Sequence, residues 1–336
     1  MTTVATVIIP ACGEAPRIER CLAAILAQDW PRSSLEVVVV DGSPGDGTAA
    51  AARSVLATAP GLRSAIVENP GGGRSANLNR GLAAASGEVV CRVDARAAIP
   101  PHYVRTCVER LADPSVAVVG GSQVNVPPGA GALAAGIARG LNNRFAMGMA
   151  QYRRRGPSGP ADTVYLGAFR AADLRSVGGW DEALAVNEDF DLNQRMAERG
   201  SIWFASELAV AYQPRSSLGD IARQYWGFGR WKVRYLRASG AAPRRRQVVA
   251  LGVVPGTLAA VIALGSATPA ARRRALVLAG VAAGVVEHLG GTAEDCLAPL
   301  SVRLWSIACS AVVVSSWSLG AWAELVAGGR LRSRRS

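Results

Sequence analysis

Leu35–Thr48 reads LEVVVVDGSPGDGT. Val37–Val40 shows no alternation of polar and apolar residues, the pattern of a strand covered on both faces in a parallel sheet. The Asp-Gly-Ser-Pro-Gly-Asp-Gly that follows is turn chemistry and ends the strand. Working outward, Val4–Ile9, Arg63–Val67 and Glu88–Val93 are further short runs rich in β-branched residues. Between the first two runs, Pro16–Gln28 places Ile18, Leu22, Ile25 and Leu26 on one helical face, with Pro at the start, where its missing N–H is harmless. The alternation β-α-β-α-β-α-β predicts a doubly wound α/β domain. In such sheets ligands sit beyond the carboxyl ends of the strands.

Polar residues collect at those ends. The first strand runs into Pro10-Ala11-Cys12-Gly13-Glu14, the second into Asp41–Gly47, the third into Glu68–Gly73 and the fourth into Asp94. Each is an ordinary turn by composition. Four in succession on one edge favour a polyanionic ligand. No GxGxxG follows the first strand and no GxxxxGK[ST] occurs, so neither a dinucleotide fingerprint nor a P-loop is present.

The 336 residues suffice for one large domain or two, and 37 Lys and Arg against 25 Asp and Glu give a net charge of +12. Much of the excess sits late: residues 241–336 hold eleven Arg against four acidic residues in a segment otherwise full of Ala, Val, Leu and Gly. Basic clusters flanking apolar runs are a membrane pattern, which argues against nucleic acid as the partner. The six cysteines form no CxxC pair and the two histidines complete no ordinary zinc set, so reduced, packed thiols are expected. MTTVATVIIP has no basic start and too short an apolar run for a signal peptide, which places the first domain in the cytoplasm.

Gln151–Asp162, with three consecutive arginines, reads as a Gly/Pro loop expected to be mobile. Further on, Glu188-Asp189-Phe190-Asp191 opens a helix closed by Gly200. Acids in a first helical turn are stabilised by the helix dipole, an explanation that covers one of them more easily than three.

Taken together these segments resemble the family-2 glycosyltransferases, in particular their bacterial succinoglycan-type branch, over about residues 4–238 and on into the hydrophobic tail. VIIPACGEAPRIERCLAAILAQ is similar to the family's first strand and helix, VVVVDGSPGDGT to its second strand, and NPGGGRSANLNRGLAAASGE to the segment before its metal motif. Asn187-Glu188-Asp189 resembles its Glu-Asp motif, and Gln224–Trp231 its interfacial Gln…Arg-Trp element. The resemblance implies the GT-A fold, a nucleotide-sugar donor and inverting chemistry. It implies donor contacts at Pro10, Ala11, Glu14, Asp41 (to the nucleobase), Asn79, Asp94 and Arg96, a general base at Asp189 beside Glu188, and acceptor or diphosphate contacts at Gln224, Arg230 and Trp231. The chemistry asks for such parts independently: a carboxylate to deprotonate the acceptor, and a metal or guanidinium groups for the charge that develops on the leaving diphosphate.

The metal motif itself departs from Asp-x-Asp. It reads Asp94-Ala95-Arg96, and an arginine binds no metal. Three readings stand: Asp94 holds Mg²⁺ or Mn²⁺ with diphosphate and water completing the shell, Arg96 replaces part of the metal as a fixed cation, or activity is lost. The first is the expectation, because Asp94 would otherwise be an unneutralised carboxylate beside a diphosphate.

Val248–Ala267 and Leu304–Ala323 are uncharged runs of bilayer-spanning length, and Ala275–Val286 is a shorter one. A buried helix pair in a soluble protein is the alternative. Arg244–Arg246, Arg272–Arg274 and the basic tail at 330–335 cannot all stay on the cytoplasmic side of consecutive crossings, which points to a hairpin or partial insertion. Before them, Trp226, Phe228, Trp231 and Tyr235 interleave with Arg223, Arg230, Lys232, Arg234 and Arg237, as in an interfacial helix or an ordinary packed one. The expected organisation is a catalytic domain over 1–217, an interfacial helix over 218–240 and a hydrophobic membrane region over 241–336. The expected activity is sugar transfer from a nucleotide donor to a lipid-linked or polysaccharide acceptor at the cytoplasmic face of the membrane. A polyprenyl-phosphate sugar transferase of the same fold, or a catalytically silent membrane-bound nucleotide- or glycan-binding protein, are the alternatives.

Overall fold

The computed structural model describes residues 3–145, 147, 152, 156–240, 242–291 and 297–328. The arginines at 153–155, Cys296 and the basic tail lie outside the described residues. The chain forms two compact units, one of residues 1–124 and 150–212, the other of 125–149 and 213–336.

The first unit is built on β1 (Ala5–Ala11), α1 (Ala15–Leu26), β2 (Leu35–Asp41), α2 (Thr48–Leu56), β3 (Arg63–Glu68), α3 (Arg74–Ala84) and β4 (Val89–Arg92). β3, β2, β1 and β4 are parallel neighbours in that order, with Val37 opposite Val7 and Val7 opposite Cys91. Period-2 alternation sends successive residues to opposite faces. Val7, Ile9, Val37, Val39 and Cys91 pack with Ile18, Leu22 and Ile25 of α1 and with Tyr103, Val104 and Cys107 of α4 (Tyr103–Leu111). Ile8 and Val90 face Leu78 and Leu82 of α3 on the other side. Two apolar faces explain why the valine run carries no alternation.

Beyond β4 the sheet changes character. β5 (Ala97–Ala98), β6 (Val116–Asn125), β7 (Gly159–Pro160), β8 (Tyr165–Arg170) and β9 (Ser201–Tyr212) complete nine strands in one mixed sheet among the described residues, ordered β3-β2-β1-β4-β8-β6-β9-β5 with β7 on β9. β8 runs antiparallel to both β4 and β6. The sequence pattern reveals the parallel half, and the antiparallel half is an addition the strand-helix alternation does not announce. It brings the short helices α6 (Ala171–Ser176) and α7 (Glu188–Met196) into the second core, through Leu174, Leu192 and Met196.

The second unit, taken by itself, is helical: α5 (Gly131–Asn142), α8 (Leu218–Ser239), α9 (Arg245–Leu251), α10 (Val253–Ser266), α11 (Pro269–Gly290) and α12 (Leu300–Ala327). Ile137, Leu141, Ile221, Cys309 and Val313 form its core. α12 contains the run Leu304–Ala323 and, among the described residues, is the one helix long and apolar enough to cross a membrane. The run Val248–Ala267 does not form one helix. It divides at Gly252 into α9 and α10, and the 14 residues of α10 reach roughly 21 Å, short of a hydrocarbon core of about 30 Å. Pro255 explains part of this: having no N–H it leaves the Leu251 carbonyl without its helical donor. That carbonyl instead accepts from the indole of Trp322 at 2.9 Å and the hydroxyl of Ser318 at 3.3 Å. Charges buried in this unit are paired: Glu287 with Arg139 and Arg303, and Glu324 with Arg230 and Arg234.

α3 can lie on the sheet because Gly81 has no side chain. A Cβ there would stand 2.3 Å from Ile8 Cγ2 and 3.2 Å from Val40 Cγ2, both in buried strand residues. Gly81→Val should therefore destabilise the first unit by about 1–3 kcal/mol, measured by chemical denaturation of the full chain.

Candidate active site

The carboxyl ends of β1, β2 and β4 and the N-terminus of α7 carry the site. The loops after β1 and β2 are laced together: Gly13 N–H donates to Asp46 at 2.7 Å, Glu14 N–H to Thr48 Oγ1 at 3.1 Å, and Gly42 N–H to the Ala11 carbonyl at 2.8 Å. Pro10 and Ala11 end β1 beside this lacing. Asp41 is fully buried; its Oδ1 accepts from Ser43 N–H at 2.9 Å, while Oδ2 has no hydrogen-bond partner among the described residues. A buried carboxylate oxygen left open can accept a hydrogen bond from a ligand.

Arg92, at the end of β4, is the centre of the charged cluster. Its buried guanidinium donates to Asp94 Oδ1 from Nε at 3.2 Å and from Nη2 at 3.0 Å. Nη2 also stands 3.7 Å from Glu188, and Nη1 contacts Asp189. Glu188 is buried and receives a second guanidinium, Arg74 Nη1, at 3.3 Å. Asp189 differs from it: its side chain is 45% exposed, so one carboxylate of the Glu-Asp pair is structural in character and the other open to a ligand. Asn187 adopts φ 71°, a left-handed conformation that turns the chain into α7 and delivers both acids to Arg92. Asp191 takes no part, being paired with Arg195 along the helix at 2.9 Å.

Burial alone would raise the Asp94 carboxyl, but the charges of Arg92 and Arg74, the Arg92 hydrogen bond and Arg96 outweigh it and hold Asp94 below the usual carboxylate range. Burial and the Asp94 charge push the Tyr212 phenol up, against the pull of Arg96 and Arg74. Arg96 itself is buried and donates from Nε to Glu14 at 2.7 Å; Glu14 also meets Arg17 at 3.4 Å.

The structure thus brings together Glu14, Asp94, Arg96, Glu188 and Asp189, with Asp41 on the neighbouring strand end. Asn79 is placed differently. Its amide donates to the Trp180 carbonyl and to Glu182 and its oxygen accepts from Trp180 N–H, so it braces the loop leading to α7 with both ends occupied. Gln224, Arg230 and Trp231 lie on α8 in the second unit, where Arg230 donates to the buried Glu324 at 3.0 Å and Arg234 covers the ring of Trp231. Arg74, Arg92 and Asn77 were not singled out from sequence. Asn77 is buried, accepts from Asn69 at 2.9 Å, and occupies the space a Cβ on Gly42 would need. Arg92 had a legible signal: a charged residue inside an otherwise apolar buried strand requires partners.

The residues present do not make an acid-pair metal site. Among the described residues no group of three or more His, Cys, Asp or Glu side chains is placed to hold a metal. Asp94 is the one carboxylate of the motif, and Arg92 already takes one of its oxygens twice. The premise that Asp94 would stand unneutralised without a cation fails on this geometry.

Comparison with known proteins agrees with the fold. The family profile described as Glycosyl transferase family 2 matches residues 6–173, half of the chain. The chain belongs to glycosyl transferase family 2 and has its GT-A fold. It is 29% identical over 97% of its length to the succinoglycan biosynthesis protein ExoA of Rhizobium meliloti, 96% of which is covered. It is 26% identical over 75% of its length to the glycosyltransferase AglE of Haloferax volcanii, 81% of which is covered. Among solved structures, a mannosyltransferase from Pyrobaculum calidifontis, described in complex with GDP-Man and Mn²⁺, superposes with a TM-score of 0.66 at 23% identity, covering 98% of this chain and 89% of that one.

Removing the central guanidinium takes from Asp94, Glu188 and Asp189 the cation they share and leaves Glu188 with Arg74. Arg92→Met should cost about 3–5 kcal/mol of stability in chemical denaturation, the range for a buried ion cluster that loses one partner. Stability equal to the parent chain would show that Arg92 does not hold the cluster together.

Proposed function

We propose that this glycosyltransferase moves a sugar, with inversion, from a nucleoside-diphosphate donor to a hydroxyl of a lipid-linked or polysaccharide acceptor in the making of a cell-surface glycan or exopolysaccharide. The observation that carries the reading is Asp189: a half-exposed carboxylate whose position is fixed by the same buried arginine that holds Asp94. Asp41 would receive the nucleobase, and the diphosphate would lie by Asp94 and Arg96 at the end of β4. Asp189 takes the proton of the acceptor hydroxyl as that oxygen attacks the anomeric carbon. The bond to the diphosphate breaks on the opposite face, which gives inversion in one displacement.

The likeness to the succinoglycan protein over nearly the whole chain supports the exopolysaccharide assignment. Residues 1–217 would form the catalytic part, facing the cytoplasm, with 218–240 as an interfacial helix and 241–336 as the membrane-associated region. Gln224, Arg230 and Trp231 are assigned to the acceptor or the diphosphate on the family resemblance.

Nucleoside diphosphate release, screened over nucleotide sugars with membranes containing the protein, should identify one productive donor. Asp189→Asn removes a base at almost constant volume, so with that donor transfer should fall by about 10²–10⁴ while donor binding persists. Near-parental transfer by this variant would remove Asp189 from the mechanism.

Attachment is tested separately. The full chain should stay with membranes through alkaline extraction because of α12 and the exposed apolar faces of α10 and α11, among them Ile262, Val261, Leu276 and Leu278. Recovery of the full chain in the soluble fraction without detergent would count against membrane attachment.

A further inference from the structure

In a metal motif made of two acids, a divalent cation cancels their two negative charges and leaves a neutral pair to face the diphosphate. Asp94 and Arg96 already sum to zero. Exchanging one acid for an arginine alters the motif's charge by the same two units that the cation would add. The surroundings follow the same arithmetic: the guanidiniums of Arg17, Arg74, Arg92 and Arg96 meet the carboxylates of Glu14, Asp94, Glu188 and Asp189, four against four. No carboxylate in the cluster is left for a cation to neutralise.

Arg96 is also built as a fixed cation rather than a surface charge. Its side chain is 8% exposed and is held through Nε by Glu14, which Arg17 shares. Its Nη1 is buried and has no hydrogen-bond partner among the described residues. A buried N–H without an acceptor is costly, and a ligand oxygen would satisfy it. Arg74 adds a half-exposed guanidinium next to the same cluster. Arginine presents several N–H groups in a rigid fork suited to phosphate oxygens and keeps its charge throughout catalysis.

We propose that Arg96 takes the place of the divalent cation: its guanidinium binds the donor's diphosphate and stabilises the charge left there when the sugar departs, so that neither donor binding nor transfer requires a metal. This rests on reading the site as one for a nucleoside-diphosphate sugar. The leaving diphosphate then keeps the electron pair of the broken bond as an ion paired with Arg96, while the acceptor's proton resides on Asp189.

The test is calorimetric binding of UDP, GDP, ADP, CDP and TDP to the purified full chain. The chain is first stripped with chelator and shown by elemental analysis to be free of divalent metal, then titrated again with Mn²⁺ present. The nucleotide that binds should do so with an affinity that changes by less than about threefold between the two conditions, a difference well under 1 kcal/mol. Arg96→Ala, checked for folding by its melting transition, should weaken it by about tenfold or more, the loss of a charge-assisted contact. Arg96→Asp, which restores two acids, should bind only when Mn²⁺ is supplied. An affinity of the parent chain that collapses on stripping and returns with Mn²⁺ would overturn the proposal while leaving the donor site intact, whatever the variants do. So would unaltered binding by Arg96→Ala. If none of the five nucleotides binds in either condition, the donor-site reading falls and this proposal with it.

Discussion

A guanidinium buried at the end of a β-strand is the constraint on which the site depends. Arg92 leaves β4 where the parallel half of the sheet ends, in a place where an unpaired charge is not tolerated. It is compensated by Asp94, two residues beyond the end of its strand, and by Glu188 and Asp189 from α7, nearly a hundred residues further along. Asp94 and the half-exposed Asp189 are thereby referred to a single guanidinium. The distance between the two carboxylates is set by the size of one side chain. It does not depend on the drift of a loop.

The sheet explains how such a charge cluster is kept rigid. β4 is buried along its whole length and hydrogen-bonded on both edges, to β1 on one side and on the other to β8, antiparallel to it, which closes the side from which α7 is delivered. Asn79 adds to this by pinning the Trp180 backbone, so the residue whose motif suggested ligand contact works at one remove, through the loop that precedes the acids. Positioning of this kind matters because displacement reactions lose rate steeply when reacting groups are misplaced by even an ångström.

Much of this was legible in the sequence where a local pattern stood for a local fact. The four β-branched runs are the four parallel strands to within a residue or two; β1, β2 and β4 are legible because strands buried on both faces are largely apolar, and the more exposed β3 by its Ile66-Val67 pair. Glu188 and Asp189 were legible as a helix start. The antiparallel strands were not, because β6 carries Gly120, Gly121 and polar residues and β9 carries Ser206-Glu207 in its middle, which blur alternation. Nor was the pairing of Arg92 with Glu188 and Asp189, a contact across the fold that no spacing encodes. In the hydrophobic tail, composition measured the length of Val248–Ala267 correctly but took it for a continuous helix. Gly252 and Pro255 break the run, and their effect is on backbone hydrogen bonds, which hydropathy does not register.

The Leu251 carbonyl bears on the order in which the protein is made. Its donors, Ser318 and Trp322, are encoded nearly seventy residues later, so a ribosome finishes α9 and α10 well before it supplies what completes them. Until α12 is made, the Leu251 carbonyl, which Pro255 leaves without a helical donor, lacks both of these partners. α12 therefore acts as a clasp on α9, supplying the two donors that the carbonyl at its end lacks.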